Sequence, residues 1–441
     1  MALSLDPRFD LDTEAAGLMA YVDASPTPFH AVVQAGWLLE EAGFVRVDES
    51  DPFPTVAGRF YLVRGGSLVA WSTDAQLAPS SPFRVVAAHT DSPNLRLKAN
   101  ADSSCVGWQQ LGVEVYGGPL LPTWLDRDLG LSGRVAVRDR EAPGGVGHRL
   151  LTGSDPLLRV AMLAIHLDRT ANDGLTLDRQ RHLAPVWGLG QAPGDVVGWL
   201  SEQVGVARRD VLGWDVMTHD TQPSARLGRS GDLLAAPRLD NLGTSYAGTR
   251  ALVEAVAAPG DRPGHVPVLV LFDHEEVGST SERGAQSTML PTVLERVVAS
   301  RGGGREDLLR ALAGTVVASG DMSHATHPNW PERHEPSHHV RADGGPVLKL
   351  NAQLRYASDA MGAGAFRLAC EQAGTPMQTY IHRTDLPCGS TVGPMTAAVT
   401  GALTVDVGAP MLSMHSCREL MAAHAVAPYA AALAAFLVPA R

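Results

Sequence analysis

The chain reads as an α/β protein in which a mixed, largely parallel central sheet flanked by helices is split by an inserted β-rich second domain. Three observations carry that reading. Short valine-rich runs, such as Phe83-Arg84-Val85-Val86-Ala87-Ala88 and Val266-Pro267-Val268-Leu269-Val270-Leu271, are bounded by turn residues, as strands buried on both faces of a parallel sheet are. Stretches with a helical apolar stripe alternate with these runs toward both ends of the chain. Between about Lys98 and Pro237 the texture changes to short alternating segments, such as Val113-Glu114-Val115-Tyr116 and Arg134-Val135-Ala136-Val137, broken by Gly and Pro.

In chain order, residues 13–22 and 28–43 are expected as helices, the second with a stripe of Phe29, Val32, Val33, Trp37 and Leu38 and a stop at Gly43. Strands are expected at 60–63 and 68–71, then at 83–88. The inserted segment is expected to hold one amphipathic helix, residues 156–168. From Pro237 onward helices and apolar strands alternate again, beginning with a helix at 244–257 and including the runs 315–320 and 403–407. The alanine-rich tail from Ala422 to Ala440, interrupted by His424, Pro428 and Pro439, reads as a core-facing terminal helix. The expected domains are therefore residues 1–97, 98–236 and 237–441, the first and last forming one catalytic domain.

Composition sets the class. At 441 residues, 45% hydrophobic, the chain has material for about two to three domains. A net charge of −11 argues against nucleic acid or an anionic membrane as partner. Nowhere do about 18 strongly apolar residues run together as a membrane span needs; the alanine-rich tail comes nearest, but His424, Pro428 and Pro439 interrupt it. The opening Met1-Ala2-Leu3-Ser4-Leu5-Asp6 lacks the basic region and apolar core of a secretory signal. Cys105, Cys370, Cys388 and Cys417 lie far apart with no C-x-x-C pair, which fits a reducing cytoplasm.

The chemistry concentrates where the apolar runs end. Glu275-Glu276 follows one run closely, and on a strand adjacent side chains point apart, so one acid can grip a cation while the other moves protons. Another run ends in His89-Thr90-Asp91, a third in Asp321, and a fourth leads through Pro410 to His415. In open α/β sheets ligands bind in the crevice outside the carboxyl ends of the strands. That rule delivers His89, Asp91, Glu275, Glu276, Asp321 and His415 to one rim, a pattern that suggests a metallohydrolase. Asp240 stands just ahead of the helix expected at 244–257; taken alone it reads as a capping aspartate.

Taken together, His89-Thr90-Asp91-Ser92-Pro93-Asn94-Leu95, Leu239-Asp240-Asn241, Asp273-His274-Glu275-Glu276-Val277-Gly278-Ser279, Gly320-Asp321-Met322-Ser323-His324, His327-Pro328-Asn329, Pro387-Cys388-Gly389-Ser390-Thr391 and Met414-His415-Ser416 resemble the aspartyl aminopeptidases of peptidase family M18. The resemblance runs from about His30 to Glu419. It implies a metallo-aminopeptidase catalytic domain whose insertion builds subunit contacts in a homo-oligomer, a tetrahedral dodecamer. It also implies two divalent metal ions, zinc first, with manganese or cobalt accepted by the same ligand types. Asp240 would bridge them, with His89 and Asp321 completing one site and Glu276 and His415 the other. Asp91 would orient the His89 imidazole, its rival role being a turn-forming aspartate ahead of Ser92-Pro93. Glu275 would be the general acid and base.

The substrates so implied are peptides with an N-terminal Asp or Glu. Within Val347-Leu348-Lys349-Leu350-Asn351-Ala352-Gln353-Leu354-Arg355-Tyr356, Lys349 is the candidate for the acidic side chain, against a surface lysine that snorkels. Tyr356 in the same stretch and Gly389, in a tight turn whose amides could receive substrate though a plain loop explains the glycine equally well, join the substrate-binding set. His166 resembles a family histidine that reaches a neighbouring subunit's site; from its surroundings alone it is a half-buried helix histidine. His324, His327, His334, His338 and His339 crowd one loop, most of them as supporting or solvent residues.

Two rivals differ in chemistry. One is a dinuclear metallo-amidohydrolase, or an aminopeptidase of different specificity. The other is a serine hydrolase on Gly243-Thr244-Ser245-Tyr246-Ala247, which needs a strand before its nucleophile where the chain has Ala236-Pro237-Arg238.

Overall fold

The computed structural model describes residues 5–257 and 264–440. The chain folds as two compact units, one of Met1–Asp91, Ser224–Met414 and Glu419–Arg441, the other of Ser92–Pro223 and His415–Arg418. The second unit thus starts and ends earlier than the expected 98–236. A long strand, Asn94–Cys105, begins almost at once after Asp91, and Leu233–Ala236 pairs with Glu419–Ala422 of the first unit. Residues 1–4, on which part of the reading of the N-terminus rests, lie outside the described residues.

Among the described residues, the largest sheet of the first unit has nine strands. At its centre Val266–Phe272, Phe83–His89, Val316–Gly320 and Leu403–Gly408 run parallel as neighbours. Ser67–Ser72 and Val347–Leu350 flank them antiparallel. Side chains of alternate residues enter opposite faces. Val86, Ala88, Leu269 and Leu271 pack under the helices Leu11–Asp23, Pro28–Glu41, Leu239–Ala257 and Val426–Leu437. Val85, Ala87, Val268 and Val270 pack under Met289–Ser300 and Arg305–Ala313. The strands are largely apolar because both faces are covered.

Register brings the strand ends level: His89 stands opposite Phe272, and Gly320 opposite Val407. Behind that rim the terminal helix Val426–Leu437 is buried along almost its whole length, its alanines permitting close approach to Leu239–Ala257. Gly320 is one such close approach: an added Cβ there would lie 2.3 Å from Thr244 Cγ2 and 2.8 Å from Tyr429 Oη. A second, small sheet in this unit joins Ala225–Leu227, Leu233–Ala236, Glu419–Ala422, Pro410–Leu412 and Ser323–His324, an element the sequence did not signal. No described helix is long and apolar enough to cross a membrane.

The second unit is built on an antiparallel sheet ordered Val146–Thr152, Leu129–Arg138, Val211–Asp220, Asn94–Cys105, Trp108–Tyr116 and Val186–Leu189. The helix expected at 156–168 does not form. Leu158 and Val160 are buried on either side of exposed Arg159, the alternation of extended chain, while Leu163, Ile165 and Leu167 are exposed, so no helical stripe is buried. Bridges of Leu158 to Leu129 and of Arg159 to Val186 hold the first part, and turns follow. The unit's described α-helix is instead Val196–Gln203, capped where Asp195 accepts from the Gly198 amide.

Gly320→Ala should cost about 1–3 kcal/mol, the usual penalty of overpacking a filled core, and so lower the thermal unfolding midpoint by several degrees in a calorimetric melt. An unchanged midpoint would mean that Thr244 and Tyr429 can move aside.

Candidate metal centre

His89, the last residue of its strand, is 1% exposed. Its Nδ1–H donates to the Asp91 backbone carbonyl at 3.0 Å. Its Nε2 faces Asp240 Oδ1 at 3.5 Å, Asp321 Oδ1 at 3.6 Å and Glu275 Oε2 at 4.0 Å. The Ser245 hydroxyl donates to the His89 carbonyl at 2.7 Å. That bond settles the serine-hydrolase alternative: a strand, Leu233–Ala236, does precede the segment, but Ser245 lies inside the helix Leu239–Ala257 and is fully buried.

Asp240 sits at the head of that helix with non-helical φ −82° and ψ 105°, and its peptide bond to Asn241 is cis. Its amide donates to Glu419 Oε2 at 3.1 Å, and Asn241 Nδ2 donates to the Gly320 carbonyl at 2.9 Å. Asp240 is therefore turned toward His89, held from Glu419, a buried acid the sequence reading missed because a lone Glu after Cys417-Arg418 gives no signal. Asp321 follows Gly320 directly and is fixed through its amide to the Val407 carbonyl at 2.9 Å.

Glu275 and Glu276 do not lie on the strand. After Phe272 the chain passes through His274 at φ 67° into a 3-10 helix, Glu275–Val277, closed by Gly278 at φ 97°. In a 3-10 turn successive side chains are about 120° apart rather than opposed, and both carboxylates converge with His89, ligand atoms within 4.8 Å of one another. Asp91 makes that turn: its Oδ1 and Oδ2 accept from the Glu275 and Glu276 amides at 3.0 and 3.1 Å. Its carboxylate stays 3.5 Å from His89 Nδ1, so the imidazole is oriented mainly by the Asp91 carbonyl. Beneath the turn Asp273 accepts from Arg283 Nε at 2.8 Å, a buried ion pair that the sequence reading also missed.

Lys349 is 3% exposed, which excludes the snorkelling role. Its Nζ donates to the Met322 carbonyl at 2.7 Å and stands 3.5 Å from Asp321 Oδ2, with the ring of Tyr356 5.6 Å away. Tyr356 is buried against Tyr380. Gly389 is exposed in an irregular loop and has no left-handed φ, so the tight turn expected there is absent. His415 belongs to the second unit, not to the catalytic part expected to hold it; its Nδ1–H donates to the Gly118 carbonyl at 3.0 Å. His166, in the same unit, is exposed in a turn rather than half-buried in a helix.

The electrostatics are lopsided. Burial pulls the His89 imidazole down, but Asp240, Asp321 and Asp91 outweigh it and hold its pKa well above the ordinary histidine range. Burial raises the Glu275 carboxyl far above the usual carboxylate range, against the pull of His89 and with help from Asp321 and Glu276. Such a density of buried carboxylates around one imidazole fits divalent cations. His89, Asp240 and Asp321 offer three ligand atoms within 4.8 Å of one another, the mixed nitrogen and oxygen set that catalytic zinc accepts.

The chain matches the family described as "Aminopeptidase I zinc metalloprotease (M18)" over residues 21–437. It is 54% identical over 427 residues to a probable M18 family aminopeptidase 2 of Mycobacterium bovis, covering 96% of this chain and 98% of that one. A Streptomyces coelicolor protein of the same description is 50% identical over 440 residues, covering 99% of this chain and 100% of that one. Among solved structures it is similar to a chain of the Ape4 and Nbr1 complex, with TM-score 0.91, 32% identity, and 99% and 88% of the two chains covered. Chaetomium thermophilum mApe1 gives TM-score 0.86 at 27% identity, with 97% and 98% covered. This chain belongs to the M18 family of zinc metallo-aminopeptidases.

Proposed function

We propose that the enzyme removes an N-terminal Asp or Glu from peptides, working with two divalent ions. The observation that carries the specificity is Lys349, a buried ammonium beside Asp321 on a protein of net charge −11. A cation kept in such a place costs desolvation, and an acidic substrate side chain is a partner that would repay it. Tyr356, beside Lys349, and the backbone at Gly389 complete our substrate set.

His89 and Asp321 would hold one ion and Glu276 and His415 the other, with Asp240 offered to both. The donor chemistry supports this set: imidazoles and carboxylates only, and in each histidine the Nδ1–H is given to a backbone carbonyl, as metal-bound histidines commonly arrange their second nitrogen. Bound there, the ions supply Lewis acidity and a water acidic enough to be deprotonated near neutral pH. Glu275 takes the proton from the attacking water and passes it to the departing amine. Its burial makes it a stronger base than an exposed glutamate, and the Asp91 amide clamp fixes where it reaches.

We further propose a homo-oligomer, a dodecamer, in which the second unit supplies subunit contacts and His166 reaches a neighbour's site. The exposed Leu163, Ile165 and Leu167 around His166 support such a contact. The four cysteines, none of them joined in a disulfide, agree with a cytoplasmic setting.

Glu275→Gln should retain full metal content by elemental analysis while kcat falls by about 10²–10⁴, the usual worth of positioned proton transfer; near-normal turnover would remove Glu275 from the role. Chelation should abolish activity, and zinc, manganese or cobalt added singly should show which ion restores it. Across peptides differing only in the first residue, kcat/KM for Asp and Glu should exceed that for Leu and Ala. Leu or Ala ahead would leave a metallo-aminopeptidase of other specificity. Light scattering should give a mass near twelve 46.6 kDa chains, and a dimer mass would overturn the assembly.

A further inference from the structure

Asp406 lies in the central strand Leu403–Gly408, fully buried, and is not one of the metal-binding groups. Its Oδ1 accepts from Ser319 Oγ at 2.7 Å and from Thr391 Oγ1 at 2.5 Å. Its Oδ2 accepts from the Ala357 amide at 2.6 Å. The Asp406 amide in turn donates to Ser358 Oγ at 2.8 Å. A carboxylate in the middle of an apolar sheet is expensive to bury, and its acceptor sites must be filled by donors brought from elsewhere.

The donors come from three segments. Ser319 stands opposite Asp406 on the neighbouring parallel strand, two residues before Asp321. Ala357 directly follows Tyr356. Thr391 lies two residues beyond Gly389 and caps the helix Val392–Thr400 through the Gly393 amide. At Gly393 an added Cβ would come within 2.4 Å of Asp406 Oδ2, so the helix start is packed onto the carboxylate. The two loop segments are also tied to each other, Arg355 Nε donating to the Cys388 carbonyl at 3.0 Å and Ser390 Oγ to the Arg355 carbonyl at 3.3 Å. They form one irregular body whose anchor to the strand of Asp321 includes a single buried carboxylate.

We propose that Asp406 is a positioning residue that holds the Tyr356 and Gly389 segments at a fixed distance from the strand carrying Asp321, and thereby sets how tightly the substrate's N-terminal residue is bound. This rests on the substrate-binding set proposed above. An aspartate present only to stabilise the core would affect the amount of folded enzyme. A positioning aspartate affects binding in the folded enzyme.

The test uses metal-loaded, full-length Asp406→Asn, Thr391→Val and Thr391→Ser, each assayed with whichever N-terminal residue the wild-type enzyme cleaves best. A wrong assignment of specificity then shows in the wild type, and a wrong role for Asp406 shows only in the variants. Asp406→Asn leaves one acceptor oxygen where two hydroxyls and the Ala357 amide share two, and Thr391→Val removes one of those hydroxyls with little change of shape. In both, KM should rise by about tenfold or more, the worth of one hydrogen bond to a charged group, with metal content unchanged and kcat within a few-fold of wild type. Thr391→Ser, which keeps the hydroxyl, should restore KM. If Asp406→Asn does not fold, the Thr391 pair decides alone. Wild-type KM in Thr391→Val, or a rise that Thr391→Ser does not reverse, overturns the proposal.

Discussion

Negative charge crowded into a buried space is the constraint around which the catalytic unit is arranged. Asp240, Glu275 and Asp321 each bring a carboxylate oxygen to 4.0 Å or less from one nitrogen of His89, and Glu276 joins the same cluster. Such a group has no reason to persist unless cations enter it. The surrounding structure supplies what holds the acids together meanwhile: the Asp91 clamp on two amides, the Glu419 bond to the Asp240 amide, and the Asp273–Arg283 pair under the turn. Each spends backbone or cationic partners on orientation, so the protein's own groups fix where these acids point.

The parallel strands explain why these groups meet. Their carboxyl ends are level by register, so a residue one step beyond any of them faces the same crevice. Of the residues we propose for the substrate, Lys349 lies within the antiparallel neighbour Val347–Leu350, whereas Tyr356 and Gly389 lie on irregular chain and need other anchors.

Much of this was legible in the sequence, for specific reasons. Valine-rich runs ending in His89, Glu275-Glu276 and Asp321 show both the parallel sheet and its rim, because burial on two faces leaves a continuous apolar signature. The helix expected at 156–168 failed because Leu158 and Val160 obey a period of two that a longer apolar stretch masked. The placement of the glutamate pair failed in a similar way: adjacency in a strand implies opposite faces, and only the left-handed His274 turns the chain into a 3-10 helix first. Glu419 and Asp406 were invisible because they act through partners tens to scores of residues away or through backbone amides, and Arg283 because no single helix or strand spans it and Asp273.

The terminal helix Val426–Leu437 packs directly behind the rim, with Tyr429 Oη against Gly320, and the strand Leu403–Gly408 completes the parallel core from late in the chain. During synthesis, the segment bearing His89 must therefore wait for partners made hundreds of residues afterward. A catalytic unit assembled this way cannot close its parallel core until that late strand and helix have been made.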